Sequence, residues 1–115
     1  MKNYIQPGDV VTLTAPADIT AGTPISNGLL VGVAITDAAN EAPVECATTG
    51  VYSLGKTSAQ AWTVGQAIYL IPSTRLVTTA TTAGNILIGT AAAVAANPSA
   101  TGLVRLNGSA PAAVL

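Results

Sequence analysis

The chain of 115 residues has no histidine, no phenylalanine and one cysteine, and only 8% of it is charged. Each scarcity excludes a class of chemistry. Without histidine there is no side chain whose ordinary titration makes it a general base near neutral pH. A single cysteine, Cys46, allows no internal disulfide and leans mildly towards a reducing compartment. Four basic and five acidic residues give a net charge of −1, too little positive charge for a nucleic-acid footprint or a polybasic membrane patch. The opening Met1-Lys2-Asn3-Tyr4-Ile5-Gln6-Pro7-Gly8-Asp9 holds no apolar run of signal-peptide length. Leu76 to Val104 carries no charge, but Thr, Gly, Asn and Pro interrupt it. Its most apolar part, Ile86 to Ala96, is shorter than the roughly 20 residues that span a bilayer. The expectation is a soluble protein.

What remains is half apolar, with a polar complement drawn largely from Thr, Ser and Gly. Soluble domains usually carry about a quarter charged residues, so much of this surface must be neutral. Such a surface suits burial against copies of itself or against a partner. The length is that of one domain, 1–115, with residues 1–7 read as an extended N-terminal arm or as an ordinary first strand.

Short strands set the pattern. Val10–Thr14 is rich in β-branched residues, and Asn27-Gly28 between Ile25 and Leu29 signals a hairpin. Leu29–Ile35, Val44–Ala47, Val51–Leu54, Ile68–Ile71, Leu76–Thr79, Ile86–Ile88 and Leu103–Leu106 follow, with turn signals every eight to twelve residues. The fold class is therefore all-β, a small barrel or sandwich. Ser58–Trp62 has the length of one helical turn. Residues 90–96 have good helix propensity, but an internal echo favours strand there. Leu29-Leu30-Val31-Gly32 with Ala38-Ala39-Asn40 matches Ile86-Leu87-Ile88-Gly89 with Ala95-Ala96-Asn97 at one constant offset. Upstream, Ile19-Thr20-Ala21-Gly22 through Ile25 resembles Trp62-Thr63-Val64-Gly65 through Ile68. The echo predicts a pseudo-duplicated unit whose second copy carries an inserted hairpin around Pro72–Gly84.

Gly50-Val51-Tyr52-Ser53-Leu54-Gly55-Lys56-Thr57 satisfies the P-loop expression, in which backbone amides, the lysine and the threonine hold phosphates and magnesium. A nucleotide-binding, recombinase-like reading starts there. Context opposes it: the chain reaches Trp62-Thr63-Val64-Gly65 without room for the helix that must follow. Every acidic residue also precedes the motif. Lys56 is then expected as a solvated turn residue. Asp37, Glu41 and Glu45 share a loop-to-strand region but lack the spacing of a calcium loop. Cys46 alternates with Val44 as a small buried residue. Asn107-Gly108-Ser109 reads as a turn. Trp62 and Tyr69 are expected to plug a core or to anchor an interface. No catalytic residue, cofactor or metal is expected.

The whole chain resembles a family of small phage capsid-cement, or head decoration, proteins. The resemblance rests on Tyr4-Ile5-Gln6-Pro7-Gly8-Asp9, Leu30-Val31-Gly32-Val33-Ala34 and Gly50–Lys56. It continues through Ala61-Trp62-Thr63-Val64-Gly65-Gln66-Ala67-Ile68-Tyr69, Ile88-Gly89 and Val104-Arg105-Leu106-Asn107-Gly108. Members are often described as predicted recombinases, a description that a chance P-loop match would produce. Gly55 and Gln66 depart from the usual proline and acidic residue of that family. The resemblance implies a non-enzymatic virion protein, similar to lambda-type decoration proteins. Such proteins assemble in the host cytoplasm and sit on the outer capsid surface as homotrimers at three-fold and quasi-three-fold points. There they bind the major capsid protein and stabilise the expanded head. On that reading Lys2, Asn3, Tyr4, Ile5 and Gln6 form the capsid contact, and Trp62 and Tyr69 are trimer-interface or core anchors. A nucleotide-binding protein using Lys56 and Thr57 and another virion module, such as a head-fibre base, are the alternatives.

Overall fold

The computed structural model describes residues 10–107. Those residues form nine strands and no helix: β1 Val10–Thr14, β2 Pro24–Asn27, β3 Leu30–Ala34, β4 Pro43–Ala47, β5 Thr49–Gly55, β6 Ala67–Ile71, β7 Leu76–Thr78, β8 Ile86–Ala91 and β9 Thr101–Asn107. Consequently no helix among them is long and apolar enough to cross a membrane. All ladders are antiparallel and fall into two sheets, ordered β1-β4-β3-β2 and β5-β9-β8-β6-β7.

The sequence echo is a structural repeat. Ile19 and Ala38 exchange both backbone hydrogen bonds, at 2.8 and 2.9 Å, and Trp62 and Ala95 do the same at 2.9 and 3.2 Å. Gly22 N–H donates to Ala34 and Ala34 N–H to Thr23; in the second half Gly65 donates to Ala91 and Ala91 to Gln66. Register extends the match to strands whose sequences show no likeness. Val11↔Cys46 and Leu13↔Val44 in β1–β4 correspond to Tyr52↔Val104 and Leu54↔Gly102 in β5–β9. Each repeat is thus a four-stranded sheet in the same order, and β7 is the insertion.

Two apolar clusters fill the repeats. Leu13, Ala15, Ile19, Ile25, Ala34, Val44 and Cys46 make the smaller one. The larger gathers Leu54, Trp62, Ile68, Leu70, Val77, Ile86, Ile88, Val104 and Leu106 with Val33 from β3, so the first sheet packs on the second repeat's core. Trp62 takes the place of Ile19, and the volume it needs is found opposite. Where the first repeat has Val44 the second has Gly102, and a Cβ there would stand 2.4 Å from the indole ring.

The sheets are not closed into a barrel. One corner of each is tied instead. In the first, the Asn27 side chain accepts from Thr14 N–H at 2.8 Å and donates to Thr14 C=O at 3.0 Å, joining β2 to β1 as a strand neighbour would. In the second, Thr57 N–H donates to Val77 C=O beside a single Lys56↔Val77 bridge. With the Asn27 side chain bonded to Thr14, the turn lies one residue beyond the predicted one. Asn27 pairs with Leu30, and Gly28-Leu29 form the turn, with Gly28 at φ 62°, as glycine at the first position of a two-residue hairpin allows. Ser58–Trp62 is likewise a non-helical turn running into a bridge, and residues 90–96 leave β8 at Ala91 through a bend to the Ala95 bridge.

Candidate interaction surface

The P-loop match is strand β5 and its exit. Gly50–Gly55 are paired with β9 throughout, so this segment is part of a strand ladder and not a phosphate cradle. Lys56 corrects the expectation of a solvated turn: it is 3% exposed, at the position of Ala15 in the first repeat. Its ammonium donates to the carbonyls of Thr57 (2.9 Å), Ser58 (3.5 Å) and Gln60 (2.5 Å) and lies 5.7 Å from the centroid of the Trp62 ring. An ammonium is affordable inside a protein only when its donors are satisfied. Here the loop 57–60 folds back to supply three acceptors. The side chain is an internal clasp for that loop, with its three donors already engaged.

Of the remaining candidates, Asp37, Asp18 and Glu45 are likewise engaged within the fold. Asp37 accepts from Ala21 N–H at 2.8 Å and Asp18 from Asn40 N–H at 2.9 Å, each closing a loop of the first repeat. Glu45 accepts from the Thr12 hydroxyl across the β1–β4 ladder. Among the described residues no group of acidic, histidine or cysteine side chains is placed to hold a metal ion. Burial pushes the Cys46 thiol up to about 11, and the neighbouring Glu45 carboxylate adds to the shift. A thiol so raised is a packing group and a poor nucleophile.

Trp62 is wholly buried, its indole N–H without a hydrogen-bond partner, while Tyr69 is half-buried on β6. Lys2, Asn3, Tyr4, Ile5 and Gln6 lie outside the described residues. They precede β1, an edge strand of the first sheet.

The surfaces differ between the repeats, and here the sequence reading missed most. Where the first repeat caps its loops with Asp37 over Ala21, the second has Val94 and Val64, 75% and 66% exposed. On the outer sheet face, Thr12 beside Glu45 is replaced by Ser53 beside Leu103, and the adjoining Val10–Ala47 pair by Val51–Arg105. A shallow open groove of about 300 Å³ runs between Ser53, Val94, Ser99 and Leu103. The apolar residues were visible in the sequence, but only the repeat alignment shows that they replace carboxylates.

A family model described as phage cement protein matches residues 5–106. No curated protein and no solved structure matches the chain.

Proposed function

The chain belongs to the phage cement protein family, a structural family of the virion capsid, and from that premise we propose that it binds the major capsid protein lattice of the expanded head from outside. On this reading it acts as a trimer at three-fold and quasi-three-fold positions and holds neighbouring capsid subunits against one another. The observation that carries the reading is the family match over residues 5–106. The surface supports it. A neutral face of Val, Ser, Thr and Ala sheds little hydration on docking, and modest contacts repeated over a lattice add through multivalency. Selective binding to the expanded state stabilises that state by mass action, about 2.7 kcal/mol per site when free protein exceeds Kd a hundredfold.

Lys2–Gln6 are proposed as the capsid contact, because they lead into an edge strand and an incoming strand pairs most easily at an edge. Tyr69, half-buried, is proposed as an interface anchor; Trp62, enclosed in the core, serves packing. Nothing in the buried Lys56 clasp favours the nucleotide reading.

Co-sedimentation of the purified protein with expanded and unexpanded heads, read as bound copies per major capsid subunit, tests the proposal. Saturable binding to expanded heads near a one-to-one ratio is expected. Absence of binding to either form would overturn it. Deleting residues 2–6 is expected to weaken binding without unfolding the domain.

A further inference from the structure

The repeats share a backbone but not a charge. All four acidic side chains among the described residues, Asp18, Asp37, Glu41 and Glu45, belong to the first repeat, and Lys56, Arg75 and Arg105 all belong to the second. Lys56 is spent internally. Arg105 is exposed and, among the described residues, has no acidic partner within its own chain. Register places the opposed charges on corresponding surfaces. Glu45 stands on the outer face of β4 between Thr12 of β1 and Ile35, whose N–H donates to Glu45 C=O at 2.9 Å. Arg105 stands on the outer face of β9 between Val51 of β5 and Thr90 of β8, one pleat from Leu103. Each face also carries exposed aliphatic groups: Val10 and Ile35 at 40% and 49% on the first, Val51 and Leu103 at 53% and 41% on the second.

We propose that copies of this chain associate head to tail, the Arg105–Leu103–Val51 face of the second repeat on one copy covering the Glu45–Ile35–Val10 face of the first repeat on the next. The occupant of each face is a second copy, and charge complementarity selects it: like faces repel, unlike faces attract. Aliphatic groups around each charge supply an apolar contact, and the charges set its register. A contact between two different patches is heterologous, and heterologous contacts close into rings when the rotation permits. This deepens the trimer reading above by naming its contact, but it stands without lattice binding.

Disulfide trapping tests it. Thr12 and Ser53 occupy the same exposed position in the two repeats, so Thr12→Cys and Ser53→Cys variants mark the two faces while leaving both charges in place. Oxidation of the concentrated mixture, and of the mixture on heads, is expected to give the mixed covalent dimer about tenfold faster than either variant alone. The rate should fall in 1 M salt, where the screening length is about 3 Å. Adding Glu45→Arg to the Thr12→Cys chain should suppress the mixed dimer, and adding Arg105→Glu to the Ser53→Cys chain as well should restore it. Equal homotypic and mixed rates, or no mixed dimer in either setting, would overturn the proposal. A chain carrying both cysteines reports ring size separately. A covalent series closing at three fits the trimer, whereas one closing at two keeps the contact and discards the trimer.

Discussion

Replacing Lys56 by methionine separates the internal clasp from a phosphate-binding lysine, because the two roles predict opposite behaviour. The substitution keeps an unbranched side chain of similar reach in the larger core and removes only the ammonium. Two carbonyls, of Thr57 and Gln60, then lose their donor, while that of Ser58 keeps the Ser99 N–H at 3.1 Å. Ser58 and Ala59 are exposed, so water rehydrates part of this loop. The cost is therefore set near the lower end of that for a stranded acceptor, about 1 kcal/mol each and about 2 kcal/mol in all. For a cooperative unit of this length a loss of that size lowers Tm by about 8 °C. Thermal unfolding followed by far-ultraviolet circular dichroism measures it, with magnesium–ATP as a parallel addition. The expected result is a large drop in Tm for Lys56→Met and no response of the wild type to nucleotide. A variant as stable as wild type, paired with a nucleotide-dependent rise in wild-type Tm that the variant lacks, would refute the clasp.

The exchange of Ile19 and Val44 for Trp62 and Gly102 predicts a coupled pair: Gly102→Val alone overpacks against the indole and Trp62→Ile alone leaves a void. The double variant is expected to recover about 2 kcal/mol relative to the sum of the single losses in denaturant melts. Asn27→Ala removes both hydrogen bonds to the Thr14 backbone and is expected to cost about 1–2 kcal/mol. Faster hydrogen exchange confined to the β1–β2 corner would accompany it. Cys46 makes stability fall in alkali. Its folded pKa of about 11 lies above the 9.0 of an ordinary thiol, so its contribution is complete below pH 9 and is lost as pH rises towards 11. The slope there is about 1.4 kcal/mol per pH unit; a Cys46→Ala variant should lack it in urea melts between pH 8.5 and 11.

The sequence by itself determined the β character and most of the strands. Alternating and β-branched runs such as Val10–Thr14 and Ile68–Ile71, punctuated by Gly, Pro and Asn, encode that character locally, and the observed bounds differ by up to three residues, the most at the end of β8. Half of the duplication was also legible, because the turns Ile19–Gly22 and Trp62–Gly65 share their Thr and Gly, and the runs Leu29–Gly32 and Ile86–Gly89 share three aliphatic residues closed by Gly. The correspondence of β1 with β5 and of β4 with β9 was not. Backbone register defines it, and register tolerates Val44 becoming Gly102 as long as Ile19 becomes Trp62 across the sheet. The fate of Lys56 was a tertiary decision too. A lysine in a turn-like segment is normally solvated, and this one is internal only because three carbonyls of one loop converge on it. The surface followed the same rule. Nine charges are countable in the chain, but only folding puts Glu45 and Arg105 on corresponding faces of two repeats, because strand pairing, and not sequence distance, decides which side chains share a face.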